Sequence, residues 1–144
     1  VTAFREEIVR ELLDTTGASR VTLRLDTPGD VFPVVAEACA PGVRSIREAT
    51  EIDLRKAETF RYLERERRPI VQADCLVEEP AVPPELIQLY DVRAQMLAPL
   101  VRGDRLVGIV SVHHAGWPRK WTEAEVAALV AAAARVLADL DAGP

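Results

Sequence analysis

RAQMLAPLV (93–101) and RLVGIVSVHHA (105–115), joined by Arg102-Gly103-Asp104, decide how this chain is read. Both runs are aliphatic and rich in strand formers, and a short glycine-containing connector between two such runs is a hairpin signal. Successive side chains of a strand point to opposite faces. Ile109, Ser111 and His113 therefore share one face, and Val110, Val112 and His114 share the other. The valine face suits burial under amphipathic helices. The face with a hydroxyl and an imidazole among apolar neighbours suits a pocket floor, and parity carried across the hairpin adds Gln95 and Leu97 to it. Adjacent histidines on a strand cannot hold one metal ion together. A histidine at a strand end that merely reaches solvent or a backbone carbonyl is the plainer alternative for His113.

Beyond the hairpin, GWPRKW (116–121) is a loop, and Thr122 with Glu125 forms a capping box at a helix start. The helix that follows carries Val126, Leu129, Val130, Ala133, Val136, Leu137 and Leu140, close to a heptad seam. At the other end of the chain, Phe4, Ile8 and Leu12, with Val9 and Leu13, make one apolar stripe of an amphipathic helix over 3–15. SRVTLRLD (19–26) alternates as a half-buried strand, TPGD (27–30) turns, and VFPVVAEAC (31–39) returns with Pro33 marking an edge. A helix is expected from about Leu54 to Arg67, a short strand over PIVQAD (69–74), a proline-rich loop after it, and a short helix over 84–92. Hairpins outnumber crossovers in this order, so the fold class is α+β with a mainly antiparallel sheet, as one domain over 1–144.

Composition narrows the function classes. A chain of 144 residues can bury a core without disulfides or metals, and its formal charge of −5 argues against a nucleic-acid-binding surface. No apolar run is long enough to span a bilayer and VTAFREEIVR is not a leader peptide, so no membrane partner and a cytoplasmic location are expected. Sixteen of the 18 basic residues are arginine, but Arg61, Arg65, Arg67 and Arg68 alternate with Glu64 and Glu66 as a solvated helix face does. Cys39 and Cys75 lack metal-ligand spacing and read as inert thiols; a cysteine nucleophile would have only His113 as its base. Asp74, Glu78 and Glu79 sit in a proline-bounded loop. GxGxxG, GxxxxGK[ST] and GxSxG are all absent from the sequence. Nothing assembles a catalytic constellation, so the chain is not expected to be an enzyme.

The order of elements, PIVQADC (69–75), and above all YDVRAQMLAPLVRGDRLVGIVSVHHAGWPRKWTEAEV (90–126) resemble a GAF domain over nearly the whole chain. The resemblance implies a GAF/PAS-like central antiparallel sheet of five to six strands. The N- and C-terminal helices would pack on one face, with loops and short helices over the other. It also implies a sensory module that binds a small molecule between the sheet and its middle loops and forms a homodimer through its terminal helices. The local flavour is similar to phytochrome and cyanobacteriochrome GAF domains, in which the first histidine of such a pair faces the chromophore. That favours His113 over His114. The bilin-attaching cysteine of that group is replaced here by Val82, followed by Pro83, so covalent bilin is disfavoured. Haem is disfavoured too, since the segment before the hairpin holds no histidine and offers iron only Tyr90.

The expected reading is a sensor for an unidentified small molecule, contacting His113, Ser111, Gln95 and Leu97, with Tyr90 and Ile70 bordering the site. Its signal would pass through the terminal helices to an output domain outside this chain. A dimerisation scaffold with a vestigial pocket is the alternative, and a thiol-based reductase of free methionine sulfoxide a more distant one.

Overall fold

A computed structural model describes residues 2–29, 31–49 and 52–142. Helix α1 (Thr2–Thr16) leads into strands β1 (Arg20–Leu25) and β2 (Val34–Cys39). A 3-10 turn (Leu54–Lys56) precedes α2 (Glu58–Glu66), followed by β3 (Ile70–Gln72) and α3 (Pro84–Tyr90). Strands β4 (Val92–Arg102) and β5 (Arg105–Ala115) and helix α4 (Glu123–Ala142) complete the order. The five strands form one antiparallel sheet in the order β2-β1-β5-β4-β3, the α+β architecture expected.

The β4–β5 hairpin is central to the sheet, and its turn closes on Gly103, whose φ of +66° is one that glycine adopts without strain. Its valine face lies against the terminal helices. Val21, Leu23, Met96, Ala98, Val110 and Val112 there meet Ile8, Val9, Leu12 and Leu13 of α1, and Leu129, Ala132, Ala133 and Val136 of α4, in one dry core. The two helices run antiparallel, with Arg5 near Asp139 (3.7 Å) and Arg135 near Glu11 (2.6 Å). The capping box forms reciprocally: Glu125 N–H donates to Thr122 Oγ1 (3.1 Å) and Thr122 N–H to Glu125 Oε1 (2.9 Å). Val130, counted in the apolar seam by spacing, is 47% exposed.

Departures from the sequence reading have local causes. The expected helix from Leu54 breaks at Ala57, whose backbone is extended, so α2 begins at Glu58. β2 begins at Val34 rather than 31, because Phe32 adopts φ +48° and Pro33 has no N–H to give a ladder. The helix expected over 84–92 ends at Tyr90, because Asp91 in the left-handed region (φ +56°) turns the chain into β4. In the TPGD turn Asp30 lies outside the described residues, as do Thr50 and Glu51 of the stretch after Gly42 and Val1, Gly143 and Pro144 of the domain boundaries.

Gly108 of β5 sits opposite both Leu25 and Leu100. A Cβ there would lie 2.6 Å from Leu100 Cδ1 and 2.8 Å from the Arg24 carbonyl oxygen. Gly108→Ala should therefore destabilise the fold by about 1–3 kcal/mol, read as a lower urea midpoint with an unchanged slope.

Candidate functional site

The opposite face of the sheet is built in rows. Strand register places Arg20 (β1), His113 (β5), Gln95 (β4) and Gln72 (β3) side by side across four strands. Thr22, Ser111, Leu97 and Ile70 form the next row. Every side chain of the first row is at most 3% exposed, so each polar atom in it needs a partner inside the protein.

Arg20 decides how those needs are met. Its Nε and Nη2 donate to the carbonyl of Arg44 (3.0 and 2.6 Å), and its Nη1 lies 3.0 Å from His113 Nδ1. A guanidinium has no acceptor, so Nδ1 must accept and the imidazole proton must sit on Nε2. Burial, with the Arg20 and Arg24 charges behind it, holds the His113 pKa well below the usual histidine range. The ring is therefore neutral at pH 7. His114, on the other face, is half-buried, and burial and Arg119 lower its pKa as well.

The carbonyl that Arg20 holds belongs to a strap over the sheet. Glu37 accepts from Ser45 Oγ and from the Ile46 N–H (2.9 Å), while Arg44 Nη1 donates to the Leu89 carbonyl (3.0 Å). Ile46 is thereby pressed into the site at 2% exposure. The Tyr90 ring lies under the Arg44 guanidinium at 4.6 Å and beside that of Arg20 at 5.8 Å.

Beneath strap, 3-10 turn, α2 and α3 lies a cavity floored by Thr22, Gln95, Leu97, Ile109, Ser111 and His113. Its walls are Ile46, Ile52, Leu54, Thr59, Phe60, Leu63, Pro83 and Leu86, with Arg24 at one side. The centre of a water molecule can move within about 30 Å³ of it, room for one or two waters. Two sealed floor atoms have no partner among the described residues, Gln95 Oε1 and Thr22 Oγ1. A mostly apolar hollow with a few fixed polar groups is the usual make-up of a small-molecule site.

Of the six expected site residues, His113, Ser111, Gln95 and Leu97 line this cavity. Tyr90 and Ile70 do not. Tyr90 belongs to a cluster with Ile46, Cys75, Val82, Leu86 and Val92, and Ile70 packs with Phe32, Phe60, Leu63, Leu97 and Ile109. Arg20, Gln72 and Thr22 were not singled out in the sequence, although Arg20 and Thr22 share the strand parity of Arg24 in a run whose alternate residues are Val21 and Leu23.

The remaining candidates have other work. Cys75 is buried, and desolvation pushes its thiol up to about 12. Burial and Glu37 also raise the Cys39 pKa, and neither cysteine lines the cavity. Asp74 accepts from Arg93 Nε (3.1 Å) and the Leu76 N–H (3.0 Å), bonds that lower its carboxyl pKa, while Glu78 takes the Asp74 N–H (2.6 Å). These carboxylates order a loop. Arg61, Arg65, Arg67 and Arg68 are exposed, and Arg65 pairs with Glu66 (2.8 Å). Among the described residues no group of three or more His, Cys, Asp or Glu is placed to hold a metal ion, and no helix is long and apolar enough to cross a membrane.

The family model described as "GAF domain" matches residues 2–139. The blue-light absorbing form of the Thermosynechococcus elongatus PixJ GAF domain is 26% identical, with 97% of this chain and 86% of that one covered at a TM-score of 0.77. The cyanobacteriochrome receptor PixJ, in a dark and illuminated study, is 27% identical over 93% of this chain and 90% of that one, at 0.75. The chromophore-binding domain of the bacteriophytochrome RpBphP3 from R. palustris shares the fold at 16% identity, with 98% and 55% covered and a TM-score of 0.79. No curated protein matches the sequence.

Because native His113 resists protonation, the unfolded chain binds its proton first as pH falls through about 6.5, and stability must then drop. Between pH 6.5 and 5 the wild type should lose stability faster than His113→Gln by up to about 1.4 kcal/mol per pH unit, measured by urea unfolding. Parallel pH profiles would contradict the neutral, Arg20-bound ring.

Proposed function

The chain belongs to the GAF domain family, and from that premise we propose that it is a non-catalytic sensory domain holding a small molecule in the cavity under the strap. The observation that carries this reading is the buried, mostly apolar hollow floored in part by the polar side chains of Thr22, Gln95, Ser111 and His113. Likeness to a GAF domain named for the light it absorbs supports a small-molecule role.

We read the site as one without a covalently attached tetrapyrrole or a haem. The hollow has room for a water or two, no cysteine lines it, and Tyr90 lies outside it between two guanidinium groups. We read the ligand as a compact, non-covalently held molecule, contacted by His113, Ser111, Gln95 and Leu97. A thiol-based reductase is a poor reading, since the buried Cys75 thiol stays protonated at neutral pH.

The signalling route we propose starts at the floor. The Trp121 indole N–H donates to the Gln72 carbonyl (3.0 Å), and the Arg119 N–H to that of Ala73 (2.9 Å). The lead-in to α4 is thus stitched to the edge strand that carries the last member of the polar row. A change at the floor can reach the terminal helices, provided the ligand binds two helix arrangements with different affinity. Residues 1–144 would then act as one domain, in a homodimer through α1 and α4, where Val130 is already exposed, with an output domain outside this chain and a cytoplasmic location. No nucleic acid or membrane enters this reading. A dimerisation scaffold with a vestigial pocket is the second reading, favoured by the small volume of the cavity.

Native mass spectrometry and an absorption spectrum of the freshly purified chain separate the two. A dimer carrying an added small-molecule mass is expected. His113→Ala should weaken that molecule's binding by about tenfold and His114→Ala by less than about twofold. A bare dimer, colourless and unresponsive in its cavity to small ligands, would favour the scaffold.

A further inference from the structure

The hollow under the strap has no carboxylate in its lining, and among the described residues Arg24 is its one charged member. Arg24 Nη1 donates to the Phe32 carbonyl (2.9 Å), which holds the guanidinium in place. Arg24, Ile52 and Leu54 also line an open groove beside the strap, where Arg47 and Glu48 stand. Whatever enters the hollow from that groove passes Arg24. Behind the floor Arg20 adds a second positive charge, buried with no carboxylate within 4.0 Å among the described residues. Glu37, which acts on it from farther away, spends its oxygens on the Ser45 hydroxyl and the Ile46 N–H. Both guanidinium charges are felt at the His113 ring.

The groups left to meet an occupant are donors. Gln95 Oε1 and Thr22 Oγ1 are sealed from it. Ser111 Oγ and His113 Nε2 also lack partners among the described residues but are not sealed, and the two residues keep 6% and 3% of their surface accessible where they line the hollow. They stand two apart on β5, so they share a face at a spacing of about 6.7 Å along the strand. With Arg20 at Nδ1, the His113 Nε2 can only donate. A small anion leaving water needs donors for its lone pairs and an opposite charge, and a hydroxyl, an imidazole N–H and a guanidinium around a hollow lined by no carboxylate supply them.

Resting on the sensor reading of this cavity, we propose that it is a site for a compact monovalent anion of the size of formate, held by the Ser111 hydroxyl and His113 Nε2–H through hydrogen bonds and by Arg24 through its charge. Size sets the upper limit, since room for one or two waters excludes phosphate esters and larger acids. A cation would meet only positive charge. A neutral molecule of the same size makes the same hydrogen bonds without the gain from charge.

Formate and formamide test this, being matched in size and shape and different in charge. Each is titrated into the full 144-residue chain at constant ionic strength set by a bulky buffer anion, with binding read from the NMR signals of His113 Nε2 and the Ser111 amide. The wild type should prefer formate by about tenfold, the excess of a charged over a neutral hydrogen bond. Arg24→Gln should bring that preference below about threefold, and Arg24→Lys, which keeps the charge, should keep it. Ser111→Ala leaves the Arg24 contact with Phe32 untouched and should weaken formate about tenfold. Equal binding of the two probes by the wild type, or tighter binding of formamide, overturns the anion site while leaving the sensor reading intact. An undiminished preference in Arg24→Gln, or formate binding unmoved by Ser111→Ala, overturns it as well. If neither probe binds, the hollow is not a ligand site, and the sensor reading falls with this inference.

Discussion

A guanidinium taken out of water must be given acceptors, and the site of this domain is organised by how one arginine finds them. Arg20 is 1% exposed, and among the described residues no carboxylate stands within 4.0 Å of it. An ion in that position costs several kcal/mol unless its donors are satisfied. The protein answers with neutral oxygen and nitrogen: the Arg44 carbonyl and His113 Nδ1. Each answer has a consequence. Holding the carbonyl pins the strap that presses Ile46 over the cavity, and occupying Nδ1 chooses the tautomer of the one histidine at the floor. The charge itself, together with burial, keeps that histidine from gaining another.

The two faces of the sheet divide the labour. The helix side is dry and aliphatic, dense enough that a single Cβ at Gly108 has no place to go. The loop side carries the polar row, in which Arg20 meets His113 and Gln95 meets Gln72, and only Gln95 Oε1 is sealed without a partner among the described residues. Polar groups in such a row raise the cost of every misplacement, because an unpaired atom in low dielectric is expensive. This is how the hollow keeps a defined chemistry beneath walls drawn from a strap, a 3-10 turn and two short helices.

Much of this is legible in the sequence. Strand parity around Ser111 and His113 separated the two faces of β5 correctly, because a period of two leaves no freedom once one face is buried. The capping box at Thr122 and the stripe Ile8, Leu12 were equally local signals. What failed to show was whatever depends on distance in sequence. Arg20 lies 24 residues from the carbonyl it holds and 93 from the histidine it polarises. Nothing in SRVTLRLD says that this arginine, rather than Arg24, is the fully buried one. Gln72 looked like an ordinary polar residue of a short strand, because the Pro80 carbonyl that takes its N–H lies on a returning loop. Tyr90 adjoins the right element but packs with Ile46 and Leu86, and these line the cavity in its place. The hairpin could be read outward from itself, while the roof over it could not, since loops pack by side-chain fit and carry no period.

The central claim is that Arg20 fixes a neutral His113 with its proton on Nε2. A long-range proton–nitrogen NMR spectrum of the 15N-labelled chain, recorded from pH 8 down to 5.5, reads this directly. The account predicts a His113 ring with unprotonated Nδ1 and protonated Nε2, unchanged across the range. A His113 ring that gains its second proton with a midpoint near 6.5, or that carries its proton on Nδ1, would contradict it.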